Sequence, residues 1–356
     1  MFEKLYKKIF PILNFIPPEL AHNLAIRFFT NFKNKTNPDD LILNIKVCNL
    51  KFTNPIGLAA GFDKNGEAYD GLMRLGFGFV EIGTVTINPQ FGNKKPRIFR
   101  LLEDKAIINR LGFNNIGAEK VLQNIEKYDS ANGPGLLGVN LGKNLDSKEL
   151  IEDYLKLLKI FNRKASYITL NVSSPNTPGL RELEQKDNLD KLVKKISLFK
   201  RKNSVNIPVF LKIDPDISKN QLSDISDIVL SSRIDGVIIS NTSIQRSNEL
   251  ISKHASEKGG ISGLPIKETS NKLLKDFYIL TNGKIPLIGV GGISNGKDAY
   301  QRILNGASLI QLYTSLIYKG PSIVNKIKEE LVYLLKRDNY KSLDQAVGKL
   351  NKWKSL

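Results

Sequence analysis

The residues able to do chemistry in this 356-residue chain gather where short apolar runs stop. The stretch ITLNVSSPNTPGLRELE, residues 168–184, is the clearest case. An apolar run from Ile168 to Val172 gives way to Ser173 and Ser174, then to Pro175, Asn176, Thr177, Pro178 and Gly179. Asn140, Asn171 and Asn241 end similar runs, and Asn109 stands in INRLGFNN. Each amide offers a donor and an acceptor together. Several converging on one point suit a planar ring edged with alternating C=O and N–H groups, such as a pyrimidine. Taken singly, an asparagine is more often a turn or cap residue. Two lysines also close runs, Lys64 in GFDKNG and Lys212 in FLKIDPD. A cation at Lys212 would stabilise negative charge on a bound ring; the alternative is a pairing with Asp214 or Asp216.

Other chemistries find little support. The two histidines, His22 and His254, are far apart and lack ligand spacing, so no metal is expected. No G-x-S-x-G elbow supplies a hydrolase nucleophile, and neither serine has a histidine base nearby in sequence. LIGVGGISNGKDA carries the pair Gly291-Gly292, and LIQLYTSLIYKGP carries Tyr313-Thr314. Glycines let backbone N–H groups approach an anion. With no Walker or Rossmann fingerprint, a nucleotide held by its terminal phosphate is expected in preference to NAD.

The apolar runs fall at 55–61, 79–86, 135–142, 167–173, 208–214, 236–242, 286–293 and 309–315. Segments of helical period lie between them, including 67–75, 150–161, 189–200 and 218–230. Strand–helix alternation argues a parallel sheet, and eight such units a closed (β/α)8 TIM barrel. In that fold the chemistry collects at the ends of the strands, and the loops after the last two strands are its recurrent phosphate cradle.

Composition sets the frame. Hydrophobic content of 41% and charged content of 25% are those of an ordinary globular protein. The single cysteine, Cys48, forms no internal bridge and reads as a small hydrophobe. The formal net charge of +18 would attract nucleic acid or anionic lipid. Its lysines, among them Lys194, Lys195, Lys200 and Lys328, are scattered through helical segments without interleaved aromatics, so they read as solvated helix surface and not as a nucleic-acid site. The N-terminal residues Phe2, Leu5, Tyr6 and Ile9 share one helical face, and Pro17-Pro18 open a second helix with Leu20, Leu24 and Phe28. Neither apolar stretch approaches the roughly 20 residues of a membrane span. Attachment to a membrane surface and packing onto the main domain are both open. The division drawn is 1–38 for this helical segment and 39–356 for the barrel.

Several stretches together resemble dihydroorotate dehydrogenase of the quinone-dependent class 2. They are NPIGLAAGFDKNGEA, EIGTVT, KPRIFRL, NRLGFNN, GVNLGKN, NVSSPNTPGLREL, SNTS, GGISGLP, IGVGGI and LIQLYTSLIYKGP, in the family order, and PPELAHNLA resembles the class 2 helical extension. The resemblance implies an FMN enzyme that oxidises dihydroorotate to orotate in pyrimidine synthesis and passes electrons to a membrane quinone. It would sit peripherally on the cytoplasmic face of the inner membrane. Ser174 would be the base, standing where the cytosolic class has cysteine; a hydroxyl is a poor base and depends on its placement. The substrate would be held by Lys64, Asn109, Arg110, Leu111, Gly112, Phe113, Asn171, Asn176, Asn241 and Thr242. FMN would take Ala60, Gly61, Phe62, Asp63, Lys64, Thr84, Asn140, Asn171, Lys212, Ser240, Gly263, Gly292, Tyr313 and Thr314. His22 and Arg100 would belong to the quinone site. A tRNA dihydrouridine synthase, the nearest rival among FMN barrels, needs a cysteine acid that these loops do not contain.

Overall fold

Strands buried on both faces must be apolar along their whole length, which is why the runs are continuous and not alternating. The computed structural model describes residues 2–34, 37–128 and 135–354. In it every run forms one strand of a closed parallel barrel. The strands are β1 (Ile56–Leu58), β2 (Phe79–Val85), β3 (Leu136–Leu141) and β4 (Tyr167–Asn171), then β5 (Val209–Ile213), β6 (Gly236–Ile239), β7 (Leu287–Val290) and β8 (Ala307–Leu312). Each pairs with its sequence neighbours, and β8 closes on β1 through Ile310 opposite Ile56.

Helices α1 (Phe2–Phe15) and α2 (Pro18–Thr30) precede the barrel. Its outer layer comprises α3 (Tyr69–Met73), α4 (Ala118–Glu126), α5 (Leu150–Phe161), α6 (Lys186–Lys202) and α7 (Lys219–Leu230), followed by α8 (Lys267–Leu280), α9 (Gly296–Leu304), α10 (Thr314–Lys319) and α11 (Ile323–Arg337). Helix α7 starts on a complete capping box, Ser218 with Gln221.

The barrel interior is built in tiers. Phe79, Tyr167 and Phe210 stack edge-on across the lower end, with centroids 6.1 and 5.3 Å apart. Such pairs add about 0.5–1.5 kcal/mol each beyond area burial. Glycines on adjoining strands make room for them: a Cβ on Gly138 would lie 2.2 Å from the Tyr167 ring. Two residues further along the strands the tier turns polar, with Glu81, Asn140, Thr169, Lys212 and Gln311 all buried.

Two additions escaped the periodicity reading. Residues Ile45–Val47 and Leu50–Phe52 form a hairpin whose turn residues Cys48 and Asn49 both have positive φ. Cys48 is half-buried there and donates to Asp235 O at 3.2 Å. Over the barrel mouth, Ile98–Leu101, Ala106–Asn109 and Gly260–Gly263 make a three-stranded antiparallel sheet. Gly260 lies opposite Asn109, some 150 residues earlier.

The N-terminal helices do pack on the barrel. Tyr6 donates to Ile317 O at 2.6 Å, and Glu19 pairs with Arg97 at 2.6 Å. Helix α1 continues through Pro11. Ile12, Phe15 and Leu20 remain exposed on faces that line neither chamber, while Leu24 and Phe28 are part-exposed at the apolar chamber described below. Phe2 and Leu5 lie outside the residues whose side chains are described. The reading of the lysines as solvated needs correcting at two positions. Lys200 is buried against Asp235 and Lys328 against Asp39, each at 2.7 Å, because their stems cover apolar surface while the ammonium meets a carboxylate.

Candidate active site

The strands deliver their polar ends to a chamber of about 380 Å³ at the mouth of the barrel. Ala60, Gly61 and Lys64 reach it from the loop after β1, Thr84 from β2, Asn171, Ser174 and Asn176 from the β4 end, and Lys212 from β5. Ser240, Asn241 and Thr242 follow β6; Gly291 and Gly292 follow β7; Tyr313 and Thr314 follow β8. The covering sheet and the chain after it add Asn109, Leu111, Gly112, Phe113 and Gly263.

Beneath the chamber a chain of buried hydrogen bonds fixes the amides. Asn140 Nδ2 donates to Glu81 Oε1 at 2.7 Å, and Thr84 Oγ1 donates to Asn140 Oδ1 at 2.6 Å. Asn171 Nδ2 donates to Thr84 Oγ1 at 3.0 Å, and Asn241 Nδ2 to Asn171 Oδ1 at 3.1 Å. Glu81 also accepts from Tyr167 Oη at 2.9 Å and Gln311 Nε2 at 2.7 Å. These bonds hold the amides in one geometry, since an alternative rotamer would bury an unpaired group.

Two groups above it lack protein partners. Lys212 Nζ donates to no protein atom among the described residues, and burial draws its ammonium below the ordinary lysine range, opposed by the Glu81 charge. Gln311 Oε1 is buried with no donor among the described residues. The alternative of Lys212 paired with Asp214 or Asp216 does not hold, because both carboxylates face Arg181, at 2.6 and 3.7 Å.

Arg181 is also what holds the serine loop. Its Nε donates to Ser173 O and its Nη2 to Thr242 O, both at 3.4 Å. Ser173 Oγ donates to Lys212 O at 2.7 Å, and Gly179 takes a left-handed φ of 70° to turn the loop back. Asn93 Nδ2 ties the far side by donating to Asn176 O at 3.1 Å. Ser174 is thereby buried, and among the described residues its Oγ accepts only the Asn176 N–H, at 3.4 Å. Among the described residues no histidine lines this chamber.

A second, largely apolar chamber of about 490 Å³ lies between the barrel and the N-terminal helices. Leu13, Ala25, Phe28 and Phe29 line it from the helices, with Phe62, Leu316 and Ile317 opposite. His22 and Arg100 are its polar members among the expected residues. Asn109, Leu111 and Tyr313 line both chambers and form the partition. Lys64 Nζ meets His22 Nε2 across it at 3.3 Å.

Four of the expected cofactor and substrate residues are not on the polar chamber's wall. Phe62 faces the apolar chamber. Asn140 lies in the network beneath. Asp63 accepts the backbone N–H groups of Glu67 and Ala68 at 2.9 and 2.8 Å, and burial pushes its carboxyl up to about 6. Arg110 lies over the Phe99 ring at 4.5 Å and pairs with Glu257 at 2.7 Å. Sequence reasoning missed Glu81, Gln311 and Arg181. The first two carry the signal that singled out Lys212, a polar residue inside an apolar run.

Fold and site together define a barrel enzyme working at the C-terminal ends of its strands. A family model described as dihydroorotate dehydrogenase matches residues 42–335. The chain is 45% identical to the mitochondrial dihydroorotate dehydrogenase (quinone) of Oryza sativa subsp. japonica, over 95% of this chain and 78% of that protein. It is 47% identical to dihydroorotate dehydrogenase (quinone) of Rhodopseudomonas palustris strain BisA53, over 95% and 94%. Among solved structures it superposes on the Eimeria tenella enzyme in complex with ferulenol with a TM-score of 0.90 at 40% identity, over 94% and 96% of the two chains. The chain belongs to the dihydroorotate dehydrogenase family and is an oxidoreductase.

Proposed function

We propose that this enzyme oxidises (S)-dihydroorotate to orotate for pyrimidine synthesis, with FMN in the polar chamber and a membrane quinone as acceptor in the apolar one. The observation that carries the reading is the partition. A chamber lined with amides and ammonium groups shares Asn109, Leu111 and Tyr313 with a chamber lined by aromatic and aliphatic side chains. One accommodates a polar ring, the other a lipid-soluble one.

The residues present fit FMN. Gly263, closing a strand of the covering sheet, and Gly291 and Gly292, after β7, have φ of 99°, 108° and 70° and line the chamber with Lys105 and Lys319, which add positive charge. Open backbone with two cations suits a phosphate. Tyr313 and Thr314 complete that end. At the other end Lys212 and Gln311 Oε1 offer a donor and an acceptor to a ring with polar edges, alongside Ala60, Gly61, Thr84 and Ser240. When bound, FMN supplies hydride acceptance from the substrate and electron transfer to the acceptor.

The chain's own groups do the rest. Asn109, Asn171, Asn176, Asn241 and Thr242 bind and orient the substrate ring, and Lys64 supplies a cation for its carboxylate. Ser174 Oγ takes the C5 proton as its own hydroxyl proton passes to a water or a neighbouring hydroxyl, its placement set by the Arg181 and Asn93 anchors on either side of the loop. Placement of this kind recovers much of what a weak base lacks. Lys212 offsets negative charge that develops on the cofactor ring.

Residues 1–38 form a membrane-facing segment and 39–356 the catalytic barrel. No helix among the described residues is long and apolar enough to cross a membrane. The exposed apolar side chains of α1 and α2 suit peripheral attachment at the cytoplasmic face of the inner membrane. Anaerobic mixing of purified protein with dihydroorotate tests the reading. It should bleach the flavin absorbance, and a short-chain quinone should restore it. Protein without flavin, or flavin that dihydroorotate leaves oxidised, overturns the proposal.

A further inference from the structure

The two chambers meet at a contact between two ionisable side chains. Lys64 lines the polar chamber and His22 the apolar one, and Lys64 Nζ to His22 Nε2 is 3.3 Å. Lys64 makes no other hydrogen bond among the described residues. An ammonium only donates, so Nε2 must accept and the imidazole proton must sit on Nδ1. Burial, and then the Lys64 charge, hold His22 well below the ordinary histidine range, which keeps the ring neutral. Phe62 packs edge-on against the imidazole at 5.4 Å and restricts its orientation.

The charged groups around Lys64 are Glu19 on α2, Arg97 before the covering sheet, and Asp63 and Glu67 of its own loop. Burial outweighs them and brings its ammonium down to about 8, so both protonation states are accessible near neutral pH. This contact has no counterpart in the substrate-binding role assigned to Lys64.

Reducing a quinone to a quinol takes two electrons and two protons. If the proposed activity is correct, on which this inference rests, the reduced flavin supplies both electrons and one proton. The second proton has to cross the partition. We propose that Lys64 and His22 are its route, with Lys64 protonating His22 as His22 protonates the acceptor oxygen. The N–H bonds at Lys64 Nζ and His22 Nδ1 break, while an N–H bond forms at Nε2 and an O–H bond forms on the acceptor. Lys64 is left neutral and regains a proton from the polar chamber; exchange with solvent returns the imidazole to its starting tautomer.

The test has two arms. His22 and His254 are the only histidines, so ring-nitrogen shifts of 15N-histidine-labelled holoenzyme report the tautomer without ambiguity. The neutral Nδ1–H form is expected from about pH 6 to about pH 8; an Nε2–H form overturns the proposal, and this arm needs no variant. In the second arm, flavin reduced by dihydroorotate is mixed anaerobically with a short-chain quinone. His22→Ala should slow reoxidation about 100- to 10,000-fold, the range of a lost general acid, and added imidazole should restore it at least in part. Reoxidation within about tenfold of wild type, or a slowing that imidazole does not relieve, overturns the relay. If dihydroorotate fails to reduce the wild-type flavin, the proposed function fails instead, and the tautomer result stands apart from it.

Discussion

Glu81 and Asn140 stand on adjacent strands with Asn140 Nδ2 2.7 Å from Glu81 Oε1, and that bond joins the barrel floor to the polar chamber. Glu81 is fully buried and accepts from three side chains, while its charge opposes that of Lys212. Replacing it by leucine leaves Asn140, Tyr167 and Gln311 with unmet donors and Lys212 with no balancing carboxylate. Glu81→Leu should therefore lose roughly 3–5 kcal/mol of stability. Chemical denaturation measures this, and Glu81→Gln, which keeps one acceptor, should lose less.

Ser174→Ala should keep its flavin and lose turnover. The hydroxyl is held by loop anchors that do not involve Oγ, so the loop survives the change. Reduction of the flavin by dihydroorotate in stopped flow should slow about 100- to 10,000-fold. A rate near wild type would remove Ser174 as the base.

Activity should fall on the alkaline side through Lys64. Its folded value of about 8 lies below the ordinary 10.5, so the cation is present below about 8 and lost above it. The value of kcat/KM for an anionic substrate should drop as pH rises through that point, and Lys64→Met should be low throughout without the drop. The stability sign is opposite: a lowered lysine costs stability at neutral pH, and that cost is relieved as pH rises from about 8 towards 10.5.

Membrane attachment should depend on Ile12 and Phe15, which are 63% and 91% exposed and line neither chamber. Burying such a side chain contributes roughly 1.5–3 kcal/mol. Ile12→Asp and Phe15→Asp should each weaken binding to lipid vesicles about tenfold or more, read by co-sedimentation. Flavin reduction by dihydroorotate should stay at the wild-type rate, since neither residue approaches that chamber.

The eight barrel strands were legible in the sequence because a strand buried on both faces has to be apolar throughout, and such runs are visible one residue at a time. Helix α5 fell on residues 150–161 for a similar reason, its apolar period being complete. The resemblance then assigned roles to Ser174, the asparagines and both lysines, and most of those residues line one chamber. The covering sheet was not legible. Its strands are four residues each, too short to stand out as runs, and Gly260 pairs with Asn109 across some 150 residues, a relation no local pattern encodes. The same holds for the partners. Sequence placed Lys212 in an apolar strand, but only the fold brought the Glu81 charge within its reach and gave Asp214 and Asp216 to Arg181. Sequence alone determined which residues could be buried and which could react. Which of them meet, Lys64 with His22 above all, was decided by closure of the barrel and the docking of α2, because long-range contacts follow from packing and not from spacing along the chain.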